Sequence, residues 1–157
     1  MKARLNPVEN QVTAQFGKRL VAAAKVLEDS SLPAAVRELV MLRASQINGC
    51  GFCVDMHTKD AAHAGETHQR LHLVAVWREA TVFTEAERAA LELAEQGTRL
   101  ADAAGGVTDE AWTRAAQHYD EEQLAALVCT ISLINAFNRG NVMLQLPAGD
   151  YQPSRPA

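Results

Sequence analysis

The sequence is poor in aromatic residues, in basic charge and in long apolar runs, and the last two shortages each exclude a class of protein. Aromatics make up only 5% of the chain, and 15 Lys and Arg stand against 19 Asp and Glu, a formal net charge of −4. This balance excludes a basic nucleic-acid-binding surface. No apolar run approaches the roughly 18–20 residues that a membrane helix needs. The first residues lack the apolar segment of a signal peptide, so we expect a cytoplasmic protein.

Strand-like alternation of polar and apolar residues is also missing, whereas helical periodicity is frequent. Apolar residues recur at three- and four-residue steps, and hydrophobic residues make up 48% of the chain. The pattern predicts helices over residues 9–28, 33–46, 50–64, 67–77, 84–99, 108–118 and 121–146, followed by an irregular tail. We therefore predict an all-α fold, one helical bundle of about six to seven helices, with residues 1–157 forming a single domain.

Cysteine is scarce as well, and two of the three cysteines share one short motif. Asn48-Gly49 is a strong turn signal, Cys50 and Cys53 follow as Cys-x-x-Cys, and His57 comes four residues after Cys53. On a helix, Cys53 and His57 share a face, so a thiol and an imidazole can meet. In a reducing cytosol such a pair is more often redox-active or metal-binding than a structural disulfide. The motif therefore predicts a redox dithiol site.

A carboxylate is the group that would orient the histidine. Two antiparallel helices joined at Asn48-Gly49 would bring Glu38 back beside His57. Spacing alone does not select Glu38 over Asp55 or Glu66.

Two further interpretations of the cysteines stay open. Cys50, Cys53 and His57 are three possible zinc ligands, with Glu38, His63 or Cys129 as a fourth, although no second ligand pair has the usual spacing. Cys50 and Cys53 could also be small buried residues. Cys129, inside the last helix, is interpreted as a buried packing residue. We expect neither a metal nor another cofactor.

The motif resembles the Glu-x11-Cys-x2-Cys-x3-His signature of the AhpD-like alkylhydroperoxidases in the carboxymuconolactone decarboxylase superfamily. Glu38, Cys50, Cys53 and His57 occupy its four positions. Neighbouring segments, including residues 42–50, 55–61 and 134–139, are also similar to that family. The resemblance covers a core of about residues 32–139.

The resemblance implies a thiol-dependent peroxidase in which Cys53 attacks a hydroperoxide, Cys50 resolves, and Glu38 and His57 relay the proton. It also implies a cellular dithiol reductant and a homo-oligomer, a trimer or a hexamer. In the best-studied AhpD branch a histidine precedes the second cysteine. Phe52 stands there in this chain, so one member of that relay is missing.

Three other functions are kept as alternatives. A general disulfide oxidoreductase would also use the dithiol, whereas a carboxymuconolactone decarboxylase-type enzyme has no need of one. The third is a non-catalytic zinc-binding or assembly module.

Overall fold

The protein is a bundle of helices in the ranges that the structure, a computed structural model, describes: residues 2–103 and 105–153. The helices are α1 (Gln11–Glu28), α2 (Ala34–Ile47), α3 (Gly51–His63), α4 (His68–Leu73), α5 (Glu85–Thr98), α6 (Asp109–Ala116) and α7 (Glu121–Leu144). A short 3₁₀ helix, Val74–Val76, follows α4. These ranges contain no strand, and the predicted all-α fold is confirmed. None of their helices has the length and apolarity needed to cross a bilayer.

Side-chain caps lie at the start of several helices. Asn10 accepts hydrogen bonds from the first turn of α1. Thr84 with Glu87 and Asp120 with Gln123 form capping boxes that start α5 and α7. Each of these starts lies within two residues of its predicted position, and for α5 and α7 the capping residues are visible in the sequence.

The segment predicted as one helix over residues 67–77 divides into α4 and the 3₁₀ helix. Val74 and Trp77 are both buried and lie three positions apart. A 3₁₀ helix places such residues on one face, so the tighter winding directs both into the core. Helix α7 stops at Leu144 rather than at residue 146, because Gln145 adopts a left-handed conformation with φ 53°.

Helix α2 lies at the centre of the bundle. It contacts α3, α5 and α7 as well as the 3₁₀ helix, whereas α1 packs mainly on α7. One apolar cluster lies between the first half of α2 and helices α5, α6 and α7. A second lies between α2, α3 and the segment around Trp77 and Phe83. A third, smaller cluster contains Cys50 and Cys53 with Ala44 and Ile134, so the two cysteines are part of the folded core.

Helix α7 contacts five other helices and still leaves one side exposed. Its buried side includes Leu127, Ile131 and Ile134. Cys129 is exposed, so the prediction of a buried packing residue is wrong. At about 100° per residue, Cys129 falls roughly opposite Leu127 on the helix, and it therefore faces away from the core.

Candidate active site

The junction of α2 and α3 places the cysteines. Gly49 has a φ of 66° and ends α2, while its N–H bonds Gln46 O at 3.2 Å and the Cys50 N–H bonds Ser45 O at 3.0 Å. This is a Schellman motif, in which glycine tolerates the left-handed conformation. Cys50 then caps α3, and its Sγ accepts a hydrogen bond from Cys53 N at 3.3 Å. The predicted turn at Asn48-Gly49 is thus the element that brings Cys50 to a helix N-terminus.

Cys50 and Cys53 are close enough to react with each other. The structure has them as a disulfide, with Cα atoms 5.4 Å apart. Both residues are only 1% exposed. A small molecule that reaches either sulfur must therefore enter the protein.

The carboxylate that contacts His57 is that of Glu38. Glu38 Oε2 lies 3.0 Å from His57 Nδ1, and both side chains are largely buried. Asp55 instead pairs with Lys59, and Glu66 pairs with Arg70. The antiparallel arrangement of α2 and α3 selects one carboxylate among the three that the spacing allowed.

The second ring nitrogen of His57, Nε2, is buried and has no hydrogen-bond partner in the described part of the chain. In this disulfide form His57 also makes no direct hydrogen bond to either cysteine sulfur among the described residues. Since Glu38 occupies Nδ1, Nε2 is the nitrogen left to exchange a proton with a reacting group.

A cavity of about 410 Å³ connects these groups, and Cys53, His57 and Glu38 all line it. Cys50, the residue that caps α3, is not among the lining residues. Helices α1 and α7 supply mainly apolar side chains to the wall, including Val21, Leu27, Leu133, Ile134 and Phe137. The cavity thus gives a small, largely apolar molecule access to Cys53, one of the two cysteines.

Comparison with known proteins supports one family. The carboxymuconolactone decarboxylase family model matches residues 14–96, more than half of the chain. The uncharacterized protein YdfG of Bacillus subtilis is 42% identical over 134 residues, which cover 85% of this chain and 90% of YdfG. The chain belongs to the carboxymuconolactone decarboxylase family. Within that family it is similar to an AhpD-like protein at 34% identity.

Solved structures share the fold of this family member. ATU0492 from Agrobacterium tumefaciens, a protein of unknown function named as a candidate AhpD antioxidant defence protein, has a TM-score of 0.88 and 34% identity. That match covers 96% of this chain and all of ATU0492. The debrominase Bmp8 has a TM-score of 0.77 at 18% identity, covering 87% of this chain and 73% of Bmp8. At that identity, Bmp8 shows a common fold only.

Sequence reasoning missed one group that contacts a cysteine. Asn141, in the last turn of α7, lies with its Nδ2 3.3 Å from Cys53 Sγ. Its only signal in the sequence is a polar residue three positions after Asn138 in a mostly apolar helix. Asn141 reaches the sulfur because α7 packs beside α3. No short sequence motif predicts this contact.

The tail after α7 is irregular, as predicted, and it is held on α3. Lys59 Nζ donates to the carbonyl oxygens of Gly149 and Tyr151 at 2.9 and 2.8 Å. The Tyr151 hydroxyl donates to Asp60, which also lines the cavity. Burial, the hydrogen bond to Asp60 and the nearby charges of Asp60 and Glu38 together raise the pKa of Tyr151 to about 12.

The residues considered as zinc ligands do not all meet. His63 is exposed at the end of α3, and Cys129 is exposed on α7. In residues 2–103 and 105–153, no group of three or more His, Cys, Asp or Glu side chains has an arrangement that could hold a metal ion.

Proposed function

We propose that this family member is a thiol-dependent peroxidase that reduces hydroperoxides through a Cys50–Cys53 dithiol–disulfide cycle. One observation carries the proposal: Cys53, His57 and Glu38 line the same cavity. A nucleophile, a base and a group that orients the base are the parts such a reaction requires.

In the first step the Cys53 thiol loses its proton to His57 Nε2. The thiolate attacks the distal oxygen of a hydroperoxide, and the O–O bond breaks as the S–O bond forms. The alkoxide takes the proton from His57 and leaves as an alcohol, or as water when the substrate is hydrogen peroxide. Glu38, bonded to Nδ1, stabilises the imidazolium between these two transfers.

In the second step Cys50 attacks the sulfur of the Cys53 sulfenic acid. The new S–S bond displaces water, and the two thiols have supplied the two electrons that reduce the peroxide. The 5.4 Å between the Cα atoms requires no large movement for this closure. A dithiol reductant then returns the pair to two thiols.

Cys53 rather than Cys50 is the attacking residue in this proposal. Cys53 lines the cavity and lies one helical turn before His57. The Cys50 sulfur instead accepts the Cys53 backbone N–H at the start of α3, where the helix dipole favours a thiolate. That environment suits Cys50 to resolve the sulfenic acid and later to leave from the disulfide.

Burial of the sulfurs weighs against a general protein-disulfide oxidoreductase. Both cysteines are 1% exposed, and a disulfide on the surface of another folded protein would not reach them. The same burial means that the reductant must be a small dithiol or carry one on a slender arm. In the decarboxylase alternative, Cys50 and Cys53 would have no role in the reaction.

The test is consumption of cumene hydroperoxide and of hydrogen peroxide with an excess of dihydrolipoic acid. Turnover above the rate without protein is expected for at least one of the two peroxides. Reduction of insulin disulfides without peroxide consumption would favour the disulfide oxidoreductase. If the concentration of neither peroxide decreases faster than without the protein, the proposal is contradicted.

Self-association and a cytoplasmic location stay predictions. Large apolar residues are exposed along α1, among them Val12, Phe16 and Val26, which is compatible with a homotrimer or homohexamer. Sedimentation equilibrium on the purified protein measures the assembly, and a monomer at micromolar concentration would contradict it.

A further inference from the structure

Asn141 is the polar side chain of α7 that reaches the reactive sulfur. Its Nδ2 lies 3.3 Å from Cys53 Sγ, within hydrogen-bond distance for a sulfur acceptor. An amide N–H can donate to sulfur, whereas the amide oxygen would face the sulfur lone pairs. Phe52, at the position where the AhpD branch has a histidine, also lines the cavity and cannot donate.

The position of Asn141 is fixed by polar contacts one turn earlier in α7. Asn138 is fully buried, and its Nδ2 donates to Ser45 Oγ at 3.0 Å. Its Oδ1 accepts from Asn48 Nδ2 at 2.9 Å. These bonds hold α7 on the last turn of α2, directly before the cysteine motif, so Asn141 and Cys53 keep their relative positions.

We propose that Asn141 is a catalytic residue of the dithiol site, whose amide donates a hydrogen bond to the Cys53 thiolate and stabilises it for attack on peroxide. This role rests on the proposed function. A thiolate is a stronger acceptor than a thiol or a disulfide sulfur, because hydrogen bonds to charged groups are the stronger ones. The contact therefore favours the charged form of Cys53 over the neutral form.

Other charged groups around Cys53 act on the same equilibrium. Those that line its cavity come from three helices, and α7 contributes none: Glu28 from α1, Arg37 and Glu38 from α2, His57 and Asp60 from α3. They remain unchanged in variants of Asn141, so a difference between such variants reports the amide.

The experiment titrates Cys53 as the single thiol, in the full chain with Cys50→Ser and Cys129→Ser. Thiolate absorbance at 240 nm and the rate of alkylation by iodoacetamide are followed against pH. Asn141→Ala is expected to move the Cys53 midpoint up by about one to two pH units, as loss of a hydrogen bond to a charged group implies. The alkylation rate at high pH, where the thiolate is complete, stays close to that of the parent.

Asn141→Asp is the second variant, with the same shape and no donor. Its carboxylate repels the thiolate, so the midpoint rises at least as far as in Asn141→Ala. Met143→Ala, which changes a side chain that is 64% exposed on the same helix, is the matched control and leaves the midpoint unchanged. Equal midpoints in the parent and both Asn141 variants would overturn the role of Asn141, and so would an equal shift in Met143→Ala.

Alkylation needs no peroxide, so the two proposals fail separately. An unshifted titration together with hydroperoxide turnover removes Asn141 from the mechanism and leaves the peroxidase intact. A shifted titration without turnover supports the Asn141–thiolate bond and contradicts the peroxidase.

Discussion

Glu38 Oε2 and His57 Nδ1 lie 3.0 Å apart although nineteen positions separate the two residues in the chain. The contact crosses from α2 to α3 and exists because the turn at Gly49 reverses the chain between them. It directs the other ring nitrogen of His57 away from Glu38. The catalytic proposal depends on this orientation.

Replacing the Glu38 carboxylate by an amide tests this contact. Glu38→Gln keeps the shape and removes the charge that stabilises the imidazolium, so kcat/KM for hydroperoxide is expected to fall roughly 10- to 100-fold. Glu28→Gln is the matched control, since Glu28 lines the same cavity but pairs with Lys25. Stopped-flow peroxide assays should show the loss in the first variant alone; an equal effect in both would point to cavity charge instead of the Glu38–His57 contact.

Two glycines should respond to alanine with opposite sign. Gly49 has a φ of 66°, so Gly49→Ala is expected to lower the free energy of unfolding by about 1 kcal/mol. Gly17 lies inside α1, and an added Cβ there meets nothing within 4 Å. Gly17→Ala should therefore raise the free energy of unfolding by about 0.5–1 kcal/mol. Urea denaturation measures both, and a neutral Gly49→Ala would refute the strain argument.

The buried asparagine that fastens α7 to α2 should be costly to remove. Asn138 is 0% exposed and bonds both Ser45 and Asn48. Asn138→Ala removes one hydrogen bond from each of these partners and opens a cavity, so the free energy of unfolding should fall by about 2 kcal/mol. Met143→Ala, at an exposed position on the same helix, is expected to change stability by less than about 0.5 kcal/mol. Similar urea midpoints for the two variants would contradict this account of the asparagine contacts.

The ionised carboxylate of Glu92 should stabilise the folded protein, and this contribution should be lost at acid pH. The hydrogen bond from Arg78 is the largest of the effects that lower the pKa of Glu92 below its usual value, against the opposing effect of burial. A depressed folded-state pKa stabilises the protein above the unfolded-state pKa, and the benefit disappears as pH falls through the folded-state value.

The free energy of unfolding of the wild type should therefore exceed that of Glu92→Gln by about 1 kcal/mol at neutral pH. The value is modest because Arg78 is half exposed. The difference should shrink below about pH 4.3, where Glu in the unfolded chain takes up its proton. Urea midpoints of both proteins between pH 7 and pH 3 provide the comparison. A difference that stays constant over this range would show that the charge of Glu92 contributes nothing.

The sequence predicts those parts of this molecule that local patterns determine. Thr84 and Asp120 begin helices because capping residues bond neighbouring backbone, and Gly49 ends one because few other residues adopt its conformation. The likeness to AhpD-type proteins rests on the same local motif. Which carboxylate meets His57 could not be chosen by spacing, since Asp55 and Glu66 are both nearer to His57 in the chain than Glu38 is.

Packing between distant helices determines the rest. Asn141 and Cys53 are 88 positions apart in the chain, and no local sequence pattern predicts a contact between them. The apolar composition of α7 predicts a buried Cys129, yet the orientation of the helix on its neighbours leaves that side exposed. The fold and the four-residue motif follow from sequence, whereas the groups that surround the sulfur require the structure.

The most direct test of the proposed chemistry asks which sulfur a hydroperoxide oxidises. Reduced Cys50→Ser and Cys53→Ser proteins, each also carrying Cys129→Ser, receive one equivalent of cumene hydroperoxide in the presence of dimedone, and intact-mass spectrometry follows the adduct. The expected result is a stoichiometric sulfenic-acid adduct on Cys53 in Cys50→Ser and none in Cys53→Ser. An adduct that forms on Cys50 while Cys53 stays unmodified would contradict the assignment of the attacking thiol.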